Sequence, residues 1–257
     1  MLIPSEENAL IERLFAPSLF NDKDVYRILI DSKGRFGWKV KYKYSDLFIV
    51  SDNDISLKIT PLLFDFYRII EEFIKIHPSF AKTFNPYEPC SDFPDFMVKM
   101  CIQSAVFNVG PMASVAGAVC EFLAGELSED SSYLAIENGG DIYIKSSNDI
   151  TAGLFLKNKY FKDSLKIKIK KNMLPCGIAS SSGTLGHSLS LGKADLAVVV
   201  CKSAILADAA ATAVCNMVNT KEDIEKTISH FKYFKEIEGL VIIKDDKIGL
   251  YGSIELA

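Results

Sequence analysis

A basic excess is the first thing this chain lacks: 29 Lys and Arg stand against 33 Asp and Glu in 257 residues, a net charge of -4. Nucleic-acid binding therefore has no electrostatic support. Paired cysteines are missing too. Cys90, Cys101, Cys120, Cys176, Cys201 and Cys215 contain no C-x-x-C step and form no zinc-like spacing with the three histidines. Most sit in apolar segments and are expected as buried thiols. Cys90 and Cys176, beside prolines in segments read as loops, are the two that sulfur or redox chemistry would use. No apolar run reaches the roughly 18 residues that span a bilayer. The start, MLIPSEENALIERLF, carries acids and a proline where a secretory signal has a positive segment followed by an apolar one. The expectation is a cytoplasmic protein with neither a membrane nor a nucleic-acid partner. Internal repeats, low-complexity linkers, the P-loop, G-x-G-x-x-G and the nucleophile elbow G-x-S-x-G are likewise absent.

What is present is a chain with 49% hydrophobic residues, ample for a core. VYRILI, WKVKYKY and DLFIV, within residues 25 to 50, alternate at the period of strands and predict an antiparallel meander, with Trp38, Val40, Tyr42 and Tyr44 on one face and Lys39, Lys41 and Lys43 on the other. A helix is expected over Leu62 to Ile76, then a long loop rich in proline and aromatics, a lid or a covering strap. Helices follow from Phe96 to Asn108 and through MASVAGAVCEFLAGEL. Strands are expected over 133 to 145 with a turn at ENGGD, then at 152 to 156, 165 to 170 and 195 to 201. The alanine-rich helix, the amphipathic helix EDIEKTISHFKYF and the hairpin LVIIKDDKIGLYG close the chain. The pattern fits one α+β domain over 1–257, largely antiparallel sheet flanked by helices, rather than regular βαβ alternation. LKIKIKK is read as a strand with a solvated lysine face.

Four stretches carry chemistry. In ADAAATAV, Asp208 and Thr212 are four apart and share one helix face. Both are hard oxygen donors of the kind magnesium or calcium takes. The alternative is a tightly packed helix whose Asp208 caps a neighbouring backbone amide. In GPMASVAGAV a Gly-Pro step opens a helix of small residues, whose free amides can attract an anion or whose smallness can simply allow close packing. ENGGDI is a hairpin turn whose Asn138, Gly139, Gly140 and Asp141 can also approach a ligand. IASSSGTLGHS gathers Ser180, Ser181, Ser182, Gly183, Thr184, His187 and Ser188 in one segment, read as a loop whose hydroxyls and amides could hold an oxyanion. His77 and His230 are read as structural.

In this order the four stretches resemble the ApbE superfamily of flavin-handling proteins, and more closely its compact cytosolic branch. The motif-bearing part is about 96–220. The resemblance implies an ApbE-like fold, magnesium, and FAD or FMN as substrate or ligand. It implies transfer of FMN to a Ser or Thr of an acceptor protein with release of AMP, or cleavage of FAD to FMN and AMP. By the same resemblance Asp208 and Thr212 are magnesium ligands, helped by a backbone carbonyl from Ala113 to Gly117. Asn138, Gly139, Gly140, Ser181, Ser182, Gly183 and Thr184 lie against the nucleotide. His187 and Asp141 are the implied catalytic residues, His187 as acceptor of the proton of an attacking hydroxyl. Two departures stand out. A Lys-Gly step of the well-studied transferases is here Ala116-Gly117, and HSLSLGKAD runs straight into the next strand without their longer insert. These favour a second reading, a binding protein for an anionic ligand that has lost the chemistry. A third implication is a part in sulfide assimilation into homocysteine in anaerobes. Small-residue helices leave a homo-oligomer open.

Overall fold

A computed structural model describes residues 34–154, 158–161, 165–183 and 192–256. VYRILI, Thr184, His187 and Ser188 lie outside them. The first described elements are the hairpin strands β1 (Phe36–Tyr42) and β2 (Ser45–Ser51). Trp38 and Val40 are buried on one face, as the alternation requires. Tyr44 leaves that face: the chain reverses at Lys43, whose φ is 50°, and Tyr44 is 95% exposed in the turn. Helix α1 (Ser56–Ile76) follows, starting six residues before the expected Leu62 and containing Pro61. Only the bond from residue 61 to Leu57 is forfeited, near the exposed end of the helix where water can take the carbonyl. Ile59, Leu63, Phe66, Tyr67, Ile70 and Phe73 form its buried stripe.

The aromatic loop is a strap. Phe80 and Phe93 are buried against Phe73, with ring centroids 5.0 and 4.6 Å apart, and Tyr87 packs on Phe80 at 5.6 Å. It leads into α2 (Asp95–Val106), a 3-10 turn at Pro111–Ser114 and α3 (Val115–Leu127). The strap's Thr83 carbonyl lies where a Cβ on Gly110 would fall, 2.1 Å away, so the entry to α3 is held against it.

Strands β3 (Leu134–Asn138) and β4 (Asp141–Lys145) form the expected hairpin, with Gly139 and Gly140 at φ of 65° and 110° in its turn. After β5 (Ile150–Leu154) and β6 (Leu165–Ile169) come β7 (Cys176–Ser181) and β8 (Leu196–Cys201). Then follow α4 (Ala204–Met217), α5 (Asp223–Phe231), β9 (Ile237–Lys244), β10 (Lys247–Gly252) and β11 (Glu255–Leu256). Eight strands make one sheet in the order β1-β2-β3-β4-β7-β8-β9-β10, antiparallel at every pairing, and β11-β6-β5 make a second. The fold is α+β, helices on one face of the large sheet and the small sheet on the other.

Covering both faces explains why β8, LAVVVC, is buried at all six positions. Val198 and Val200 pack toward the small sheet with Ile142, Ile178 and Ile167, while Val199 packs toward α4 with Ala179, Ala207 and Ala211. β7 corrects the expected loop: Cys176 to Ser181 is a central strand paired with β4 and β8. Its composition of small and hydroxyl residues has little strand propensity, and the neighbouring strands impose the conformation. Smallness is what the position demands, because a Cβ on Gly177 would lie 2.4 Å from the Cα of Ala204 in α4.

Candidate functional site

Helix α4 carries Asp208 into the centre of this packing. Ser203 caps it, its hydroxyl accepting from Leu206 N–H, and ten of its residues are buried alanines or other apolar side chains. Alanine is the right size because α3 crosses in backbone contact. A Cβ on Gly117 would sit 2.2 Å from the Ala204 carbonyl oxygen and 3.0 Å from Asp208 Cβ. The Gly117 N–H donates to Asp208 Oδ2 at 2.9 Å. It is one of the amides at the start of α3 left without an intrahelical partner. The expected amide cap is therefore present.

The cap does not satisfy the site electrostatically. Burial is the main influence on Asp208 and pushes its carboxyl up to about 7, against the pull of the Gly117 and Ala116 amides. Asp141, the first residue of β4, is buried on the same side, and its own carboxyl is raised well above the usual range by burial first and then by the Asp208 charge. Its Oδ1 has no hydrogen-bond partner among the described residues. Thr212, one turn beyond Asp208, points its hydroxyl to the Ala113 carbonyl at 3.5 Å. Half-buried Asp208 thus acts electrostatically on buried Asp141, with the Thr212 hydroxyl, which donates to the Ala113 carbonyl, one turn along α4.

The hairpin turn closes the site from the sheet side. Gly140 N–H donates to Glu137 Oε1 at 3.0 Å, and Ser180 donates to the Gly140 carbonyl at 3.1 Å, tying β7 to the turn. A Cβ on Gly140 would fall 2.5 Å from Ser180 Oγ, whereas one on Gly139 would meet nothing within 4 Å, so the turn is open at Gly139. Asn138 faces inward: its Oδ1 accepts from Asp46 N–H at 3.3 Å, and its amide donates to Ser45 Oγ at 3.4 Å and to the Ala116 carbonyl at 3.5 Å. Ser181 is buried at the end of β7 and Ser182 is half-buried. Gly183 N–H donates to the Ala194 carbonyl at 2.9 Å, and Gly192 packs so closely on α4 that a Cβ there would lie 1.8 Å from the Cys215 carbonyl oxygen.

The described parts of the four stretches are tied to one another, Gly117 to Asp208, Ala113 to Thr212, Ala116 to Asn138 and Gly140 to Ser180, and residues 184–188 lie outside the described residues. Sequence reasoning missed Glu137, although it is the first letter of ENGGDI, and Glu121 on α3. Nothing in a single glutamate's local context distinguishes it from a solvated one. The expectation for Cys176 is corrected: it is buried in β7, and burial pushes its thiol up to about 12, so it offers no thiolate. Cys90 is exposed, and Cys101, Cys120, Cys201 and Cys215 are buried.

Because the Asp208 carboxyl is raised to about 7 and the Asp141 carboxyl well above the ordinary range, the folded state holds protons that the unfolded chain has already released above about pH 4. Stability of the metal-free protein is therefore expected to fall as pH rises from about 4, the Asp208 part of the loss being complete above about 7. The other resolved shifts on carboxyls, at Asp52, Asp54, Asp149, Asp223 and Asp246, are downward and act only below the ordinary carboxylate range. Calorimetric scans from pH 5 to 8 check this: the wild type should lose melting temperature and Asp208→Asn should lose less. Equal slopes in the two proteins would refute the assignment.

The comparisons with known proteins bear on this geometry. The family model described as AbpE bacteria matches residues 27–231. The chain belongs to that family, within the ApbE superfamily. It is similar to UPF0280 protein MJ1526 of Methanocaldococcus jannaschii, 35% identical over 190 residues that cover 72% of this chain and 77% of that one. To a UPF0280 protein of Methanococcus vannielii it is 36% identical over 225 residues, covering 85% and 91%. Among solved structures it superposes on the ApbE protein of Thermotoga maritima with a TM-score of 0.52 at 15% identity, covering 87% of this chain and 97% of the other. On the flavinyl transferase ApbE of Pseudomonas stutzeri the TM-score is 0.52 at 10% identity, covering 90% and 96%. The ApbE fold is thereby shared. Among the described residues of this ApbE-superfamily chain, no single helix is long and apolar enough to cross a membrane.

The superfamily implies a divalent cation, and the residues fit one. No group of three or more His, Cys, Asp or Glu among the described residues could hold a metal, so a zinc-like centre is not formed. The donor set is instead of hard oxygens, with one carboxylate oxygen unpartnered. Magnesium suits it, since it takes one or two carboxylates and keeps several waters or phosphate oxygens.

Proposed function

We propose that this protein binds FAD with magnesium at the end of the large sheet and cleaves the flavin's diphosphate, passing FMN to a Ser or Thr hydroxyl of an acceptor protein or to water. The observation that carries this reading is Asp141 Oδ1, buried with no partner among the described residues, on a carboxyl that the Asp208 charge raises. Two such groups are costly to keep ionised together without a compensating cation. Support comes also from the shared fold of a protein titled a flavinyl transferase.

Asp208, Thr212 and the Ala113 carbonyl would hold the magnesium, with Asp141 the second carboxylate turned toward it. When bound, the cation would neutralise diphosphate charge and polarise the phosphorus under attack. The turn, open at Gly139 beside Asn138, gives the nucleotide a backbone it can approach closely. Ser181, Ser182, Gly183 and Thr184 would donate to it. His187 takes the proton of the attacking hydroxyl. The oxygen so freed bonds to the FMN phosphorus, the bond from that phosphorus to the bridging oxygen breaks, and AMP departs. Water in place of the hydroxyl yields FMN and AMP.

Calorimetric titration with FAD, with and without magnesium, followed by chromatography for AMP, tests the reading. Magnesium-dependent binding with AMP release is expected. Binding without AMP, even with candidate acceptor hydroxyls supplied, would leave a binding protein, consistent with Ala116 replacing the lysine of the Lys-Gly step. Absence of binding in both conditions would overturn the flavin assignment.

A further inference from the structure

Helices α3 and α4 each begin with amides that lack an intrahelical partner, and each carries the carboxylate that serves the other's start. Asp208 of α4 accepts from Gly117 N–H at the head of α3. Glu121 of α3, four residues beyond Gly117, accepts through Oε2 from Ala204 N–H at 3.0 Å and Ile205 N–H at 3.4 Å at the head of α4. Ala204 lies four residues before Asp208, so the two ties sit one helical turn apart on each helix. The Ser203 hydroxyl lies 2.5 Å from Glu121 Oε2 and 2.6 Å from Gln103 Oε1 of α2, its one proton going to either. Lys99 stands 3.7 Å from Glu121 Oε1, and the Glu121 side chain is only 19% exposed.

We propose that Glu121 is a positioning residue for Asp208. Between the two ties the helices touch through backbone, the Ala204 carbonyl occupying the space a Gly117 Cβ would need. No compressible side chain lies between them there. A displacement of the first turn of α4 is therefore carried along a rigid helix to Asp208, and with it the Gly117 amide and the Thr212 hydroxyl change register. A carboxylate at that N-terminus also gains from the helix dipole, which is why the tie tolerates burial. The partners of Glu121 are Ser203, Ala204, Ile205 and Lys99, none of which is assigned to the ligand. The inference rests on Asp208 being the cation ligand for its functional meaning, but the geometric claim can be measured without any ligand.

The test compares wild type, Glu121→Gln and Glu121→Ala in the full chain. Two quantities are read on protein shown to be folded by circular dichroism: amide exchange of Gly117 relative to Leu123 in the same helix, and affinity for manganese as the metal alone. Glu121→Gln keeps an oxygen that accepts from Ala204 N–H and should leave both within about threefold of wild type. Glu121→Ala should accelerate Gly117 exchange at least tenfold relative to Leu123 and weaken manganese binding by a similar factor. A lower melting temperature with both quantities unchanged would overturn the proposal and leave Glu121 a simple helix cap. If the wild type fails to bind manganese, the metal reading falls, while the Gly117 to Leu123 ratio still decides the positioning role. Should Glu121→Ala not fold, Glu121→Asp, which withdraws the carboxylate by one carbon, is read in the same way.

Discussion

Asp208→Asn is expected to leave a folded protein whose magnesium-dependent affinity for FAD is lost, by about 100-fold or more, since even groups behind a metal ligand are worth 10- to 100-fold. The amide is nearly isosteric with the carboxylate, and its oxygen can still accept from Gly117 N–H, which lies 2.9 Å from Oδ2 in the native site. The helix junction should therefore persist. The substitution also removes the like-charge partner that raises the Asp141 carboxyl. At pH 8 and without metal, the variant's melting temperature should equal or exceed that of the wild type. Titration calorimetry and scanning calorimetry on the same samples separate the two possibilities. Unchanged FAD binding together with strong destabilisation would mean that Asp208 serves only as a cap, and the cation assignment would have to be abandoned.

Gly117→Ala should have the largest effect on stability of any single methyl addition along α3. The added carbon would lie 2.2 Å from the Ala204 carbonyl oxygen, with backbone on both sides of the contact, so relief requires the helices to part. Overpacking of this kind costs about 1–3 kcal/mol and more where nothing can yield. We expect a loss of about 3 kcal/mol in urea denaturation. Gly125→Ala in the same helix is the control: a Cβ there would meet nothing within 4 Å, and the position is exposed. It should stabilise by about 0.5–1 kcal/mol through reduced backbone entropy of the unfolded chain. Similar effects at the two glycines would refute the close helix contact on which both the Asp208 geometry and the Glu121 inference depend.

Much of the architecture is legible in the residues. The alternation of Trp38 and Val40, the helical stripe through Phe66, Ile70 and Phe73 and the two glycines at the β3–β4 turn each describe an element by local period or by φ. Where an element has no such local mark, the residues point elsewhere. CGIASS looks like a loop because serine and glycine favour none of the regular states, yet hydrogen bonding to strands on both sides makes it the middle of the sheet. Tyr44 continues an alternation on paper that the turn at Lys43 interrupts. Cys176 follows Pro175 and looks exposed, but it opens a central strand.

The candidate site divides in the same manner. Asp208 and Thr212 share a helix face by their spacing alone, and an aspartate among alanines already asks for a partner. Which partner it has is a question of distance between segments roughly 70 and 90 residues apart in sequence. Asp141 arrives on β4, the Gly117 amide on α3, and Glu121 one turn further along α3, none of them placed by any periodicity within α4. Local sequence thus determined the elements and the chemical types available, since period, glycine φ and side-chain donors are properties of short stretches. Only the tertiary structure decided that a second carboxyl should be buried within electrostatic reach of Asp208 and that each helix should cap the other. Those are consequences of packing α3 and α4 onto a sheet covered on both faces, where small residues permit backbone contact and a charge has few ways to be satisfied.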